Sequence, residues 1–259
     1  GPEAELQATE NAQPAIVFHS LALLRHLAAD GVEPVAIAGH SLGEFAGLVA
    51  AEALDRLDAL TAVRARGTAM AAAAPKATGM IAVLGLPDGV VEEACAASGG
   101  EVVVANYNAP GQVVISGSEV GLGRVSAKLE TAGAKRLVRL PVSGAFHSPL
   151  MARAADVFGA AWAKIPLGAL RRRQVFNADA QVHLEADEAR RLMVGQLTGP
   201  VRWTQSVHRL QQLGVDAYVE IGPRRTLTGL VKKILPAAVV HNIEDLASMK
   251  TVLETIHVG

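Results

Sequence analysis

The chain has 259 residues, of which 50% are hydrophobic and 19% are charged, and its formal net charge is −1. A near-neutral chain without a basic stretch interleaved with aromatic residues is not a typical nucleic-acid-binding protein. No uncharged apolar run approaches the roughly 20 residues of a membrane helix, so no membrane partner is expected. The single cysteine, Cys95, excludes an internal disulfide and a cysteine-based metal site, which favours a reducing compartment and a cytoplasmic protein.

Helical and strand-like patterns alternate along the first 75 residues. Pro14 is predicted to open a helix that runs to about Leu27. Residues 35–40 read as a buried strand, and two helices follow it, the second running from about Asp55 to Ala73. Such alternation is typical of a parallel sheet covered by helices.

The pattern changes from Lys76. A strand at 80–86, a helix, two strands joined across NAPG, a second helix and a final strand follow in the order β-α-β-β-α-β over about 70 residues. This order is typical of a ferredoxin-like unit. We therefore expect a ferredoxin-like subdomain at residues 76–147, inserted into an α/β large domain formed by residues 1–75 and 148–259.

Alternation resumes after the insert. Residues 151–165 are predicted to form a helix with one apolar face. The elements predicted after it are a strand at 174–180, helices near 186–197 and 203–213, a strand at 217–222, a helix, a strand at 239–243 and a last helix.

The segment GHSLG, residues 39–43, lies between the first strand and the next helix. It matches GxSxG, the sharp turn in which a serine nucleophile stands at the N-terminus of a helix. Ser41 and Glu44 also match the S-x-x-E capping box, in which both side chains serve only the helix start. The pentapeptide alone leaves both interpretations open.

A serine nucleophile needs a base, and the eight histidines are the candidates. His147 follows the last strand of the insert in a glycine-containing turn, where it can overhang a cleft between domains. His40 adjoins Ser41 and is better placed to line the cleft than to act as the base. Four others are interpreted as packing or surface residues of helices, namely His19, His26, His208 and His257. The last two, His183 and His241, have nothing convergent around them in the sequence. No two histidines have metal-ligand spacing.

Six ordered motifs span essentially the whole chain. They are GHSLGEF, the second arginine of AVRARG, NYNAPGQVVISG, PVSGAFHSPLM, QLTGPVRW and VEIGP. Together they resemble the malonyl-CoA:acyl-carrier-protein transacylase family of fatty acid and polyketide synthesis. The resemblance implies an α/β-hydrolase-like large domain with a ferredoxin-like insert, and it favours the nucleophile interpretation of Ser41 over the cap.

The resemblance also implies roles for individual residues. Ser41 corresponds to the acylated serine, and His147 to the base, oriented by the backbone carbonyl of Gln196 rather than by a carboxylate. Arg66 corresponds to the arginine that holds the malonyl carboxylate, which a planar guanidinium can bind through two parallel hydrogen bonds. The amide of Leu42 is expected to bind the oxyanion.

Other residues are implied as substrate contacts. Phe146 and Leu42 resemble the malonyl-selecting versions of their motifs, and His40 is expected to line the cleft. Asn106 and Asn108 are candidate contacts to CoA, although asparagines beside a Pro-Gly turn also have a purely structural explanation.

The implied reaction is ping-pong transfer of a malonyl group from malonyl-CoA to the phosphopantetheine thiol of an acyl carrier protein. No cofactor or metal is expected, and the protein is expected to be a monomer. Carrier proteins of these systems are acidic, so Lys135 with Arg136, or Arg224 with Arg225, are candidate docking residues. A serine thioester hydrolase and a non-catalytic carrier-binding module are the alternative functions.

Two departures from the family pattern matter. Arg224 stands where family members have glycine after GP, which leaves the turn geometry there open. The family also begins with a strand and a GQGSQ loop, whose glutamine supplies a second oxyanion donor, and both would lie upstream of Gly1. We expect these 259 residues to be part of a longer protein in which residues outside this numbering supply that strand and loop.

Overall fold

The computed structural model describes residues 2–256, so His257 lies outside the described residues. The helices are α1 (Glu3–Gln7), α2 (Thr9–Ala29), α3 (Gly43–Ala50), α4 (Arg56–Ala73), α5 (Asp88–Ala96), α6 (Glu119–Thr131), α7 (Ala152–Trp162), α8 (Ala186–Gly195), α9 (Trp203–Gln212), α10 (Thr226–Ile234) and α11 (Leu246–Ile256). The strands are β1 (Ile37–Ala38), β2 (Thr78–Leu84), β3 (Val102–Ala109), β4 (Gln112–Ser118), β5 (Arg136–Arg139), β6 (Gln174–Val175), β7 (Val182–His183), β8 (Ala217–Ile221) and β9 (Val239–Ile243). No helix among residues 2–256 is both long and apolar enough to cross a membrane.

Parallel strand pairs form the centre of the large α/β part, as the alternating pattern predicts. β1 pairs with β6 in parallel, and β8 pairs with β9 in parallel, while β7 adds an antiparallel edge to β6. β1 is shorter than the predicted strand at 35–40. The reason is that β6 offers it pairing partners at only two residues, Gln174 and Val175.

A cavity of about 630 Å³ lies between β1 and β8. Its walls include both strands, apolar residues of α2 such as Ile16 and Leu24, and Trp203 of α9. The cavity reaches Leu42 at the start of the α3 segment. It separates the two parallel pairs, so the sheet of the large part is found in two pieces among the described residues.

The smaller sheet has the strand order β3-β4-β2-β5 with antiparallel neighbours throughout. Helices α5 and α6 pack on it around a core of their own that includes Val91, Ile115 and Leu122. This arrangement is the β-α-β-β-α-β unit expected from the sequence. The boundaries at residues 76 and 147 stay predictions.

Helix α2 begins five residues before Pro14, so the prediction that Pro14 opens a helix is wrong. A proline inside a helix has no N–H for the carbonyl four residues earlier, which here is that of Glu10. The Arg64 side chain donates a hydrogen bond of 2.9 Å to this carbonyl from α4. A tertiary contact thus supplies the donor that the proline removes.

Helix α3, which follows the GxSxG segment, is held by aromatic packing. Phe45 makes edge-to-face contacts with Phe158 and Trp162 of α7, with ring centroids 6.0 and 5.8 Å apart. These side chains are fully buried. The apolar face predicted for residues 151–165 is confirmed, although α7 itself ends at Trp162.

The turn after β8 explains why a glycine is suited to the position of Arg224. Its backbone φ is +69°, in the left-handed region that glycine occupies at little cost and other residues seldom adopt. The chain keeps this conformation with arginine there, and Asn242 donates a hydrogen bond to the Arg224 carbonyl at 2.9 Å.

Candidate active site

Gly39 allows the chain to reverse between β1 and α3. A Cβ atom at Gly39 would lie 2.1 Å from the carbonyl carbon of Gly43 and 2.3 Å from the amide nitrogen of Glu44, which is far too close. Ser41 at the tip has φ +51°, a strained value for a serine. The segment is therefore the sharp turn that GxSxG predicts.

The capping-box interpretation of Ser41 and Glu44 is wrong. The start of α3 has no side-chain capping hydrogen bond. Ser41 Oγ instead lies 2.8 Å from Nε2 of His147, across 106 residues of sequence. The side-chain contact predicted between the two residues is present.

His147 is oriented by a main-chain carbonyl. Its Nδ1 lies 2.8 Å from the carbonyl oxygen of Gln196. A carbonyl only accepts, so Nδ1 carries the proton and Nε2 is free to accept the Ser41 hydroxyl proton. Burial and the nearby charge of Arg66 lower the pKa of His147 to about 3, so the imidazole is neutral at physiological pH.

Arg66 is buried beside the nucleophile, with 1% of its surface exposed. Its guanidinium donates to Ser41 Oγ at 2.9 Å, to Gln196 Oε1 at 2.8 Å and to Gln13 Oε1 at 2.6 Å. Burial lowers its pKa to about 10, and the charge of Glu44 opposes the shift. Arg66 therefore stays positive at neutral pH. A solvated helix arginine, which charged helix residues usually are, is excluded at this position.

Glu44 is a buried carboxyl group below the nucleophile. One oxygen accepts the main-chain N–H of Asn177 at 2.6 Å, and the other accepts the side-chain amide of Gln196. Burial raises the pKa of Glu44, while both hydrogen bonds and the charge of Arg66 oppose the rise. Because each oxygen accepts an N–H, the ionised carboxylate is the form that these contacts hold.

Sequence reasoning missed Asn177. Its Oδ1 accepts the Ser41 N–H at 2.7 Å and its Nδ2 donates to the Gly39 carbonyl at 2.7 Å. A signal existed, because β1 and β6 run parallel and the residues after each of them meet at one edge of the sheet. Gln13, which binds Arg66, carried a weaker signal, because it and Ser20 are the polar residues among the mainly apolar buried positions of α2.

Of the remaining predicted residues, the structure brings Asn108 to this turn through His40. His40 Nε2 lies 2.9 Å from Asn108 Oδ1, and burial lowers the pKa of His40. Phe146 and Asn106 are buried, the former in the large core. The Leu42 N–H donates no hydrogen bond to a described residue, as an oxyanion donor requires. Their contacts to substrate stay predictions.

Two of the histidines set aside in the sequence gain context in the fold. His183 does have a convergent partner, because its Nε2 lies 2.7 Å from Asp179 Oδ2 across the turn between β6 and β7. His208 lies on α9 and is exposed. Within residues 2–256, no three His, Cys, Asp or Glu side chains are grouped as a metal site would require.

The sequence matches a known protein family over most of its length. Residues 1–253 match the model of the family described as acyl transferase domain. The chain belongs to the acyl transferase domain family. It is 40% identical to the malonyl CoA-acyl carrier protein transacylase of Escherichia coli K12 over 258 residues, covering 98% of this chain and 84% of that protein. Its identity to the Bacillus subtilis protein of the same name is 37%, covering 99% and 82%.

Solved structures of the acyl transferase family agree with the fold. The crystal structure of MCAT from Streptococcus pneumoniae superimposes with a TM-score of 0.93 at 40% identity, covering 98% of this chain and 84% of that one. A malonyl-transacylase in complex with its type II PKS acyl-carrier protein, PlMCAT with holo AntF, superimposes with a TM-score of 0.95 at 39% identity and the same coverage. The two-part fold is thus that of this acyl transferase family.

Proposed function

We propose that this protein transfers the malonyl group of malonyl-CoA to the phosphopantetheine thiol of an acyl carrier protein through a malonyl ester on Ser41. The single observation that carries the proposal is the placing of a buried, charged Arg66 at 2.9 Å from the hydroxyl that contacts His147. A nucleophile beside a fixed cation suits an acyl group that ends in a carboxylate. Relatives named malonyl CoA-acyl carrier protein transacylase support the choice of substrates.

In the first half-reaction, His147 Nε2 takes the Ser41 hydroxyl proton while Oγ attacks the thioester carbonyl carbon. The negative charge that develops on the carbonyl oxygen is bound by the Leu42 N–H, helped by the N-terminal dipole of α3. The carbon–sulfur bond then breaks, and the CoA thiolate takes the proton back from His147. The product is malonyl-Ser41 and free CoA.

The malonyl carboxylate has a second effect through Arg66. In the free enzyme the guanidinium donates to Ser41 Oγ and its charge lowers the pKa of His147. A carboxylate bound to Arg66 competes for the donor and neutralises much of that charge. The serine oxygen becomes a better nucleophile and His147 a stronger base when a substrate of the correct class is bound.

In the second half-reaction, the carrier thiol gives its proton to His147 and its sulfur attacks the malonyl ester. Ser41 Oγ leaves and takes that proton, which restores the free enzyme. We assign this reaction to a monomer, because one chain holds Ser41, His147 and Arg66 together. We place it in the cytoplasm.

Intact-mass measurement after incubation with malonyl-CoA tests the proposal. We expect a malonyl adduct on Ser41 that disappears when a phosphopantetheinylated carrier is added, and no adduct on the Ser41→Ala variant. Release of free malonate without carrier acylation would instead identify a thioester hydrolase. The absence of any adduct on the wild-type protein, together with no release of malonate or CoA, would leave only a carrier-binding module.

A further inference from the structure

The buried carboxyl group of Glu44 has no role in the proton transfers described above. Among the described residues, no hydrogen bond joins the Glu44 carboxyl group to Ser41 Oγ, His147 or the guanidinium of Arg66. Only 1% of the Glu44 surface is exposed, although burying a charged group costs free energy. Its contacts decide what it does.

The two oxygens of Glu44 bind two residues that each hold part of the site. Asn177, on one oxygen, clamps the turn on both sides through the Gly39 carbonyl and the Ser41 N–H. Gln196, on the other oxygen, carries the carbonyl that orients His147 and a side chain that contacts Arg66. Glu44 thus connects the support of the nucleophile with the support of the base and the arginine.

The orientation of the Gln196 amide follows from this arrangement. Its Oε1 accepts from Arg66, and its Nε2 donates to Glu44 and to the Ser41 carbonyl at 3.1 Å. An amide turned the other way would place its NH₂ against the guanidinium, donor against donor. An acceptor at position 44 therefore keeps the Gln196 oxygen directed at Arg66.

We propose that Glu44 is a positioning residue, which acts through Gln196 and Asn177 to hold Arg66 and Ser41 in the geometry for malonyl transfer. The proposal rests on the assignment of Arg66 to the malonyl carboxylate made above. It adds that selectivity for malonyl depends on a residue that touches no substrate.

Glu44→Gln gives a test at constant volume, because an amide offers one acceptor and one donor where the site requires two acceptors. Either Gln196 or the Asn177 N–H then faces a donor. We expect acylation by malonyl-CoA to fall about a hundredfold, the size of loss that follows small misplacements of reacting groups. The rate ratio of malonyl-CoA to acetyl-CoA should also fall, since Arg66 loses its fixed partner.

A second variant separates positioning from simple loss of stability. Val125→Ala removes buried apolar volume from the core of the small sheet, so it lowers the free energy of unfolding at a position outside the site. We expect Val125→Ala to lower the melting temperature and keep the wild-type malonyl-to-acetyl ratio, whereas E44Q lowers the ratio. E130Q, at an exposed site, should keep the wild-type values of both.

The outcomes separate clearly. Wild-type selectivity in E44Q overturns the proposal, and so does a Val125→Ala variant that loses as much selectivity as E44Q, since the loss would then follow from lower stability alone. If E44Q does not fold, Gln196→Met should lower the selectivity in the same way while its melting temperature is monitored, and unchanged selectivity there contradicts the proposal. If the wild-type protein does not react with malonyl-CoA, the proposed function fails. The rate at which phenylmethylsulfonyl fluoride modifies Ser41 in wild type and in E44Q then still reports whether Glu44 positions Ser41.

Discussion

At the scale of single residues, the site depends on ionisable side chains that are shielded from water. Arg66, Glu44 and His147 are all buried, and burial is the leading cause of the pKa shift of each. For His147 it disfavours the imidazolium and so keeps the base ready to accept a proton. For Arg66 the shift leaves the charge intact, because a pKa of about 10 is still well above neutral pH.

The lowered pKa of His147 predicts an unusual pH profile. A base with the ordinary pKa of 6.5 would lose about nine-tenths of its active form by pH 5.5. With a pKa of about 3 the free enzyme keeps its base neutral across that range, so kcat/KM for acylation should be nearly flat from pH 7 to pH 5. Stopped-flow acylation with malonyl-CoA measures it. A fall of about tenfold by pH 5.5 would show that His147 titrates normally.

The same shift predicts a stability trend. Below pH 6.5 the unfolded chain binds a proton at His147 that the folded chain rejects until about pH 3, so the stability associated with this residue is complete above 6.5 and is lost as pH falls from 6.5 towards 3. Denaturant unfolding of wild type and His147→Gln should show a smaller acid loss in the variant. Parallel curves for the two proteins contradict the prediction.

Arg66→Ala should separate two substrates. It removes the charge-assisted hydrogen bonds that only the malonyl carboxylate can make, so malonyl transfer should fall by about a hundredfold or more while acetyl transfer is kept or improved. Steady-state rates with both thioesters measure this. Arg56→Ala, at an exposed position of the same helix, is the control. Equal losses with both substrates would mean that Arg66 serves folding.

At the scale of elements, the turn from β1 to α3 decides where the nucleophile stands. The parallel register of β1 with β6 brings Asn177 to the turn, and aromatic packing of α3 on α7 fixes the helix behind it. The two glycines of GxSxG have different surroundings in this element. Gly39 faces main-chain atoms of α3, whereas a Cβ at Gly43 would meet nothing within 4 Å.

This difference predicts opposite outcomes for two small substitutions. Gly39→Ala forces α3 away from β1 and should abolish Ser41 acylation and lower the melting temperature. Gly43→Ala should leave the melting temperature unchanged or raise it, because alanine favours the first turn of a helix over glycine. Thermal unfolding and acylation of the two variants measure this. Similar behaviour of both would refute the steric argument.

At the scale of the whole molecule, the site joins residues from distant parts of the chain. Ser41 and Arg66 precede the small sheet in the sequence, and His147 follows it. Asn177 and Gln196 lie in the second segment of the large part, after the small sheet. The bridge between Asn106 of β3 and Val201 ties the small sheet to this return.

Two exposed basic pairs are candidates to receive an acidic carrier protein. Lys135 with Arg136 lies on the small sheet, and Arg224 with Arg225 follows β8. Charge reversal of the correct pair should raise the KM for the carrier and weaken its salt dependence, with acylation by malonyl-CoA unchanged, because rim charges mainly guide association. Carrier titrations at two salt concentrations measure this. Unchanged KM in both reversed variants removes the hypothesis.

The sequence by itself predicted the α/β and ferredoxin-like elements, and its ordered motifs proposed Ser41, His147 and Arg66 as nucleophile, base and carboxylate-binding arginine through their resemblance to a family. Periodicity reports which residues are apolar, and the ordered motifs carry the chemistry. Only the tertiary structure decided that Pro14 lies inside α2, that β1 is two residues long, and that Glu44 binds Asn177 and Gln196 rather than capping α3. Each of these depends on a partner more than 50 positions away in the chain, and local pattern contains no information about such a partner.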